Sequence, residues 1–149
     1  MKTTLTVEES QRLINLGVDP KLASMVSWKQ TETWARKSVL PNKEHLTLKP
    51  FKPMVIGFER FEVKDVFTLA DILSILPKEI EDSNLDIIST QVDIKNHKKV
   101  SGWMATYIGS HNDLTFTDGL VFQAPELINA LYSLLIWCLE NKIIKLKED

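Results

Sequence analysis

The sequence predicts an α+β fold in which an antiparallel meander of about three to four strands packs against a long C-terminal helix, with short helices at the N-terminus. Three observations predict it. Helix-start signals recur near the N-terminus, beginning with Thr6-x-x-Glu9, where hydroxyl and carboxylate each satisfy a backbone amide that a helix start leaves unpaired. Between Leu85 and Ile108 the apolar period is two, the period of a strand, with one polar interruption at Lys95 to Lys99. From Pro125 to Ile144 the period returns to 3.6 residues, with an apolar arc wide enough to need cover on two sides.

Taken in order, the first helix starts at Thr6 and ends at Gly17, a residue that adopts the left-handed conformation easily, with Val18 placed to meet Leu13 as in a Schellman termination. Asp19-Pro20 then supplies a cap and a proline at the first helical position, so a second short helix is expected to run to about Val26. The pair has the outline of a helix-turn-helix, an outline shared by many packing units that never touch DNA. Ser27 to Val66 is interrupted by Pro41, Pro50 and Pro53 and reads as loops, with short extended pieces at Thr47 to Lys49 and Met54 to Phe58. Trp28 and Trp34 are read as anchors of this irregular region on the core.

Phe67-Thr68-Leu69-Ala70-Asp71-Ile72 carries both a capping-box spacing and the two hydrophobic-staple positions, so a helix begins there. Leu69, Ile72, Leu73 and Leu76 form its apolar stripe before Pro77 disturbs the backbone. In the first strand beyond it, Ile88, Thr90, Val92 and Ile94 share one side, with Ser89, Gln91 and Asp93 on the other. Lys95 to Lys99 is the hairpin connection. Val100 to Ile108 resumes the strand, with Val100, Met104 and Ile108 opposite Trp103 and Tyr107. Gly109 to Asp113 is the next turn, and Leu114 to Thr117 with Leu120 to Phe122 would extend the meander. In the closing helix Pro125 and Glu126 suit the first turn, and Glu126, Asn129, Ser133 and Glu140 make a narrow polar arc. Residues 1–149 read as a single domain.

Composition narrows the function classes. With 18 basic against 20 acidic residues, the net charge of −2 creates no general field for polyanions, so nucleic acid is not an expected partner. The single cysteine, Cys138, excludes a disulfide-stabilised secreted fold, and its place in the apolar arc makes it a packing residue. Met1 to Val7 carries no apolar signal core, which leads to the expectation of a cytoplasmic protein. Leu127 to Leu139 is too short and too interrupted to span a bilayer, so no membrane association is expected. The five glycines are too dispersed for a phosphate-cradling loop. No zinc site is expected from one cysteine and three separated histidines, His45, His97 and His111, whose convergence in space the sequence leaves open. Ser110-His111-Asn112-Asp113 holds residue types used in acyl transfer, but a polar turn accounts for them too. No catalytic, cofactor or metal residue is assigned.

The candidate partner-binding residues are Trp103 and Tyr107, which flank Ala105 on one strand face, together with Trp137 on the closing helix. Trp103 and Tyr107 either pack beneath a helix or stay partly exposed as anchors for a protein partner. Three segments, Leu5 to Ala23 (LTVEESQRLINLGVDPKLA), Phe67 to Ile80 (FTLADILSILPKEI) and Glu126 to Lys142 (ELINALYSLLIWCLENK), resemble a group of small uncharacterised proteins from Bacteroides-type genomes, their phages and mobile elements. The resemblance covers about a third of the chain and none of Ser38 to Val63. It implies an intracellular accessory protein and carries no activity or cofactor with it. The functional expectation is a non-enzymatic protein-interaction or assembly module that binds a protein partner or self-associates; the alternative is a small-molecule-binding domain or small enzyme with a pocket between sheet and helices.

Overall fold

In the computed structural model, which describes residues 1–33, 43–53, 59–81, 83–109 and 121–144, the chain groups into two compact units. One comprises Thr6–Thr68; the other joins Met1–Leu5 to the chain from Leu69 onward. The fold is α+β, with two antiparallel sheets and a C-terminal helix packed on a sheet.

The first unit opens with α1 (Val7–Asn15), whose start and stop are both written in its sequence. Thr6 accepts from the Glu9 amide, and the Glu9 carboxylate accepts from the Thr6 amide. At the other end Val18 N–H donates to Leu13 O and Gly17 N–H to Ile14 O, with Gly17 at φ 109°, the Schellman pattern expected from Gly17. Leu13 and Val18 are both fully buried. Ser10, on the same helix, is also buried and accepts from the Phe67 amide at 3.1 Å.

Asp19 caps the next turn as expected, accepting from the Lys21 amide, but the expected second helix to Val26 does not form. Only a single 3-10 turn, Pro20–Leu22, follows the cap, and β1 (Met25–Thr33) has already begun where that helix was to end. Leu22, Met25 and Val26 have helical spacing, but Met25 and Val26 pair with Leu48 and Thr47 of one strand and Val66 and Asp65 of another, and such tertiary pairing overrides the local preference. The helix-turn-helix outline goes with it. The expected loops are corrected over the described residues between Ser27 and Val66: β1 is the centre of a three-stranded sheet in the order β2-β1-β3, with β2 (His45–Leu48) and β3 (Glu59–Val66) on its flanks. Thr47 and Leu48 of the expected extended piece lie in β2, whereas Met54 to Phe58 lies outside the described residues.

In the second unit α2 (Leu69–Ile75) starts at the position its signal marks. Ile72 and Leu76 are buried, but Leu73, expected in the same stripe, is 39% exposed. The four-stranded sheet runs β4 (Glu79–Ile80), β5 (Ser83–Ile94), β6 (Lys98–Gly109), β7 (Phe122–Ala124). The β5–β6 hairpin closes as expected in the polar run, at Ile94 opposite Lys98, with Asn96 and His97 both at positive φ. Leu114 to Thr117 lies outside the described residues.

The register places Leu85 and Ile87 opposite Tyr107 and Ala105, so β5 carries apolar side chains on both faces. Of the set expected to share a buried side, Val92 is buried, but Ile88 and Ile94 are more than a third exposed. Gly102 is forced by its neighbours. A Cβ there would lie 2.7 Å from both the Ala124 carbonyl oxygen and Val92 Cγ2. Gly102→Ala is expected to lower stability by about 1–3 kcal/mol, read by urea unfolding.

Helix α3 (Leu127–Glu140) packs on β6, β7 and α2. Its apolar arc is buried almost throughout, with Ile128, Leu131, Leu134, Leu135 and Cys138 at 0% exposure, while Ser133 and Glu140 of the polar arc stay exposed. Pro125 precedes the cap instead of entering the first turn. Glu126 is the cap residue, yet its side chain caps nothing and accepts from the Lys2 amide at 3.0 Å. Lys2 Nζ donates to Asn129 Oδ1 at 3.1 Å, so the N-terminal residues tie into the polar arc.

Candidate functional site

In an antiparallel sheet, residues directly opposite each other share a face. Trp28 on β1 sits opposite His45 on β2 and Val63 on β3; Gln30 sits opposite Phe61, and Val26 opposite Thr47 and Asp65. One face of the three-stranded sheet therefore gathers Trp28, Gln30, His45, Thr47 and Phe61 from strands far apart along the chain. The chain then leaves β2 through a cis Lys49–Pro50 peptide, and Phe51 joins the same group.

The aromatic rings form a connected cluster. His45 stacks on Trp28 with centroids 4.3 Å apart and planes 20° apart. Phe51 lies 5.0 Å from Trp28, and Phe61 meets both Trp28 and Phe51 edge-on at 5.9 and 5.7 Å. These separations fall in the attractive range for aromatic pairs. Trp28, Phe51 and Phe61 then line a pocket of about 550 Å³, completed by Gln30, Thr47, Leu48, Lys52 and two prolines.

Two polar atoms on this lining are closed to solvent and have no hydrogen-bond partner among the described residues: the indole Nε1 of Trp28 and the hydroxyl of Thr47. A buried donor left unpaired costs about 1–3 kcal/mol, so native structures hold few of them. Both atoms belong to residues that line this one pocket.

The charges around the pocket are sorted by face. Asp65 shares the pocket's face but is engaged by the Lys49 ammonium at 2.6 Å, which also donates to the Pro20 carbonyl. Lys29, Glu62 and Lys64 carry the opposite face, with Glu62 3.1 Å from Lys64 and 3.4 Å from Lys29. The hydrogen bond from Lys64, then that from Lys29, holds the Glu62 carboxyl below its usual range. Among the described lining residues Lys52 carries the one charge.

Of the residues singled out in sequence, Trp28 and His45 belong to this cluster, and the candidate partner-binding residues Trp103, Tyr107 and Trp137 fall elsewhere. Tyr107 is fully buried and donates from its hydroxyl to the Pro77 carbonyl at 2.8 Å, which makes it internal packing in the second unit. Trp103 and Trp137 are half-buried, and Trp137 lies 6.4 Å, centroid to centroid, from Phe122. Cys138 is buried in α3, and burial pushes its thiol up to about 11, away from nucleophilic use. His45 belongs to the aromatic cluster, His97 is exposed at the hairpin tip, and His111, like the rest of Ser110 to Asp113 and Trp34, lies outside the described residues. Among the described residues no group of His, Cys, Asp and Glu is arranged to hold a metal ion, and no helix is long and apolar enough to cross a membrane.

Sequence reasoning noticed Trp28 but missed Gln30, Thr47, Phe51, Lys52 and Phe61. The usable signal was the alternation in Glu59–Val66, where Phe61 and Val63 share a side, masked by the prolines around it. Set against known protein families, characterised proteins and solved structures, the chain matches none of them.

Proposed function

We propose that the protein is a non-catalytic binding module and that its ligand seat is the Trp28 pocket. The carrying observation is one aromatic pocket lined by Trp28, Phe51 and Phe61, in which two lining residues, Trp28 and Thr47, each hold a buried polar atom without a partner among the described residues. A volume of about 550 Å³ lies within the range of small-molecule sites, which combine apolar walls with a few polar groups. Small-molecule binding is favoured over assembly through the closing helix, because the apolar arc of α3 is already covered by β6, β7 and α2. A protein partner would have to use another surface. An intracellular setting belongs to the same proposal, supported by a lone buried cysteine that a reducing compartment keeps as a thiol.

Thr47→Val tests the reading through opposite effects on stability and binding. Valine keeps the shape and the β-branching while removing an unpaired hydroxyl, so urea unfolding should show a gain of about 1 kcal/mol. Small aromatic amides titrated into the labelled protein should shift the Trp28 indole N–H resonance, assigned by its loss in Trp28→Phe, and should bind the Thr47→Val variant more weakly than the parent. If the amides move only the Trp103 or Trp137 indoles, or none, the pocket is not the seat.

A further inference from the structure

Among the described lining residues the one charge is the Lys52 ammonium; Gln30 and Thr47 can each donate or accept, and the Trp28 indole only donates, its Nε1 closed to solvent like the Thr47 hydroxyl. Among the described residues no carboxylate lines the pocket. The acid that shares its face, Asp65, is held by Lys49, and Glu62 lies on the opposite face between Lys29 and Lys64. The charge that complements such a lining is negative, and the rings of Trp28, Phe51 and Phe61 call for a flat apolar body.

On the reading that this pocket is the ligand seat, we infer that the ligand is a flat organic acid, a planar ring system carrying one carboxylate. The ring lies among Trp28, Phe51 and Phe61, and the carboxylate is directed to the Lys52 ammonium. The same three aromatic rings would suit a quaternary or methylated ammonium if the rim were acidic. Lys52 at the rim opposes that ligand and favours its charge-reversed counterpart.

Three probes with one ring system separate the possibilities: 2-naphthoate, 2-naphthamide and 2-naphthylmethylammonium, each titrated into the full chain and into its Lys52→Gln variant while the Trp28 indole N–H is followed. The acid should bind about fivefold or more tighter than the amide and the ammonium weakest, an order set by one partly exposed charge pair. Lys52→Gln, at an exposed position, should bring acid and amide level without loss of fold. Equal binding by all three probes, or tightest binding by the ammonium, overturns the inference and leaves the pocket reading standing. An acid preference that survives Lys52→Gln overturns the assignment to Lys52. If none of the probes moves Trp28, both the inference and the reading beneath it fail.

Discussion

Leu131→Ala should be among the most damaging single substitutions in the chain, lowering stability by about 2–5 kcal/mol. Leu131 is fully buried at the middle of α3, the helix that packs on β6, β7 and α2. Its truncation removes apolar atoms from the core and leaves a cavity, and the two losses add. A domain's stability is about 5–15 kcal/mol, so the variant approaches the threshold of folding. For a chain of this size each kcal/mol moves the thermal midpoint by about 2–4 °C. Ser133→Ala, two residues on and on the exposed arc, is the control: it should stay within about 0.5 kcal/mol of the parent. Parallel thermal melts decide the matter, because similar midpoint shifts for the two variants would mean that the helix does not present the Leu131 side to the core.

That helix illustrates what a sequence carries on its own. Its arc of apolar residues, the capping box at Thr6 and Glu9 and the Gly17 termination are local patterns, and each was legible because the residues that interact lie within one or two turns. The β5–β6 hairpin was legible for the same reason, with its polar tip between two alternating runs. Strand β1 was not. Met25–Thr33 carries Lys29, Gln30, Thr31 and Glu32 in sequence, which blurs its alternation, and it follows a true helix cap at Asp19. What makes it a strand is pairing with β2 and β3, partners distant along the chain, and such tertiary pairing overrides local preference. The candidate site inherits this problem. Trp28, Thr47, Phe51 and Phe61 converge only once the three-stranded sheet exists, so no spacing along the sequence announces the pocket. Tyr107 shows the converse: the alternation on β6 was visible, but whether its aromatic side faced a helix or a partner depended on burial, and Tyr107 is buried.

The buried thiol and phenol of the second unit predict alkaline lability. Burial pushes Cys138 from an ordinary thiol value of 9.0 up to about 11, and raises the Tyr107 phenol too, with the neighbouring Cys138 as the smaller cause. Both groups are neutral when protonated. Above the unfolded-state value the unfolded chain has lost a proton that the folded chain retains, so the folded state binds more protons and stability falls as pH rises. For Cys138 the contribution is intact below pH 9, declines from there, and is lost by about pH 11. The loss amounts to roughly 2–3 kcal/mol, from about 1.4 kcal/mol for each pH unit of separation. Tyr107 adds to the decline above pH 10, where an unfolded phenol ionises. Cys138→Ala will lower stability at every pH by removing a packed sulfur, but it should flatten the decline between pH 9 and 11. The slope, not the offset, is the readout, taken from urea midpoints at half-unit pH steps. Tyr107→Phe should flatten the curve only above pH 10, at a uniform loss of about 1 kcal/mol from the bond to the Pro77 carbonyl. An unchanged slope in Cys138→Ala, or rapid alkylation of Cys138 in the native protein at pH 8, would show that the thiol is not held in the apolar interior of α3.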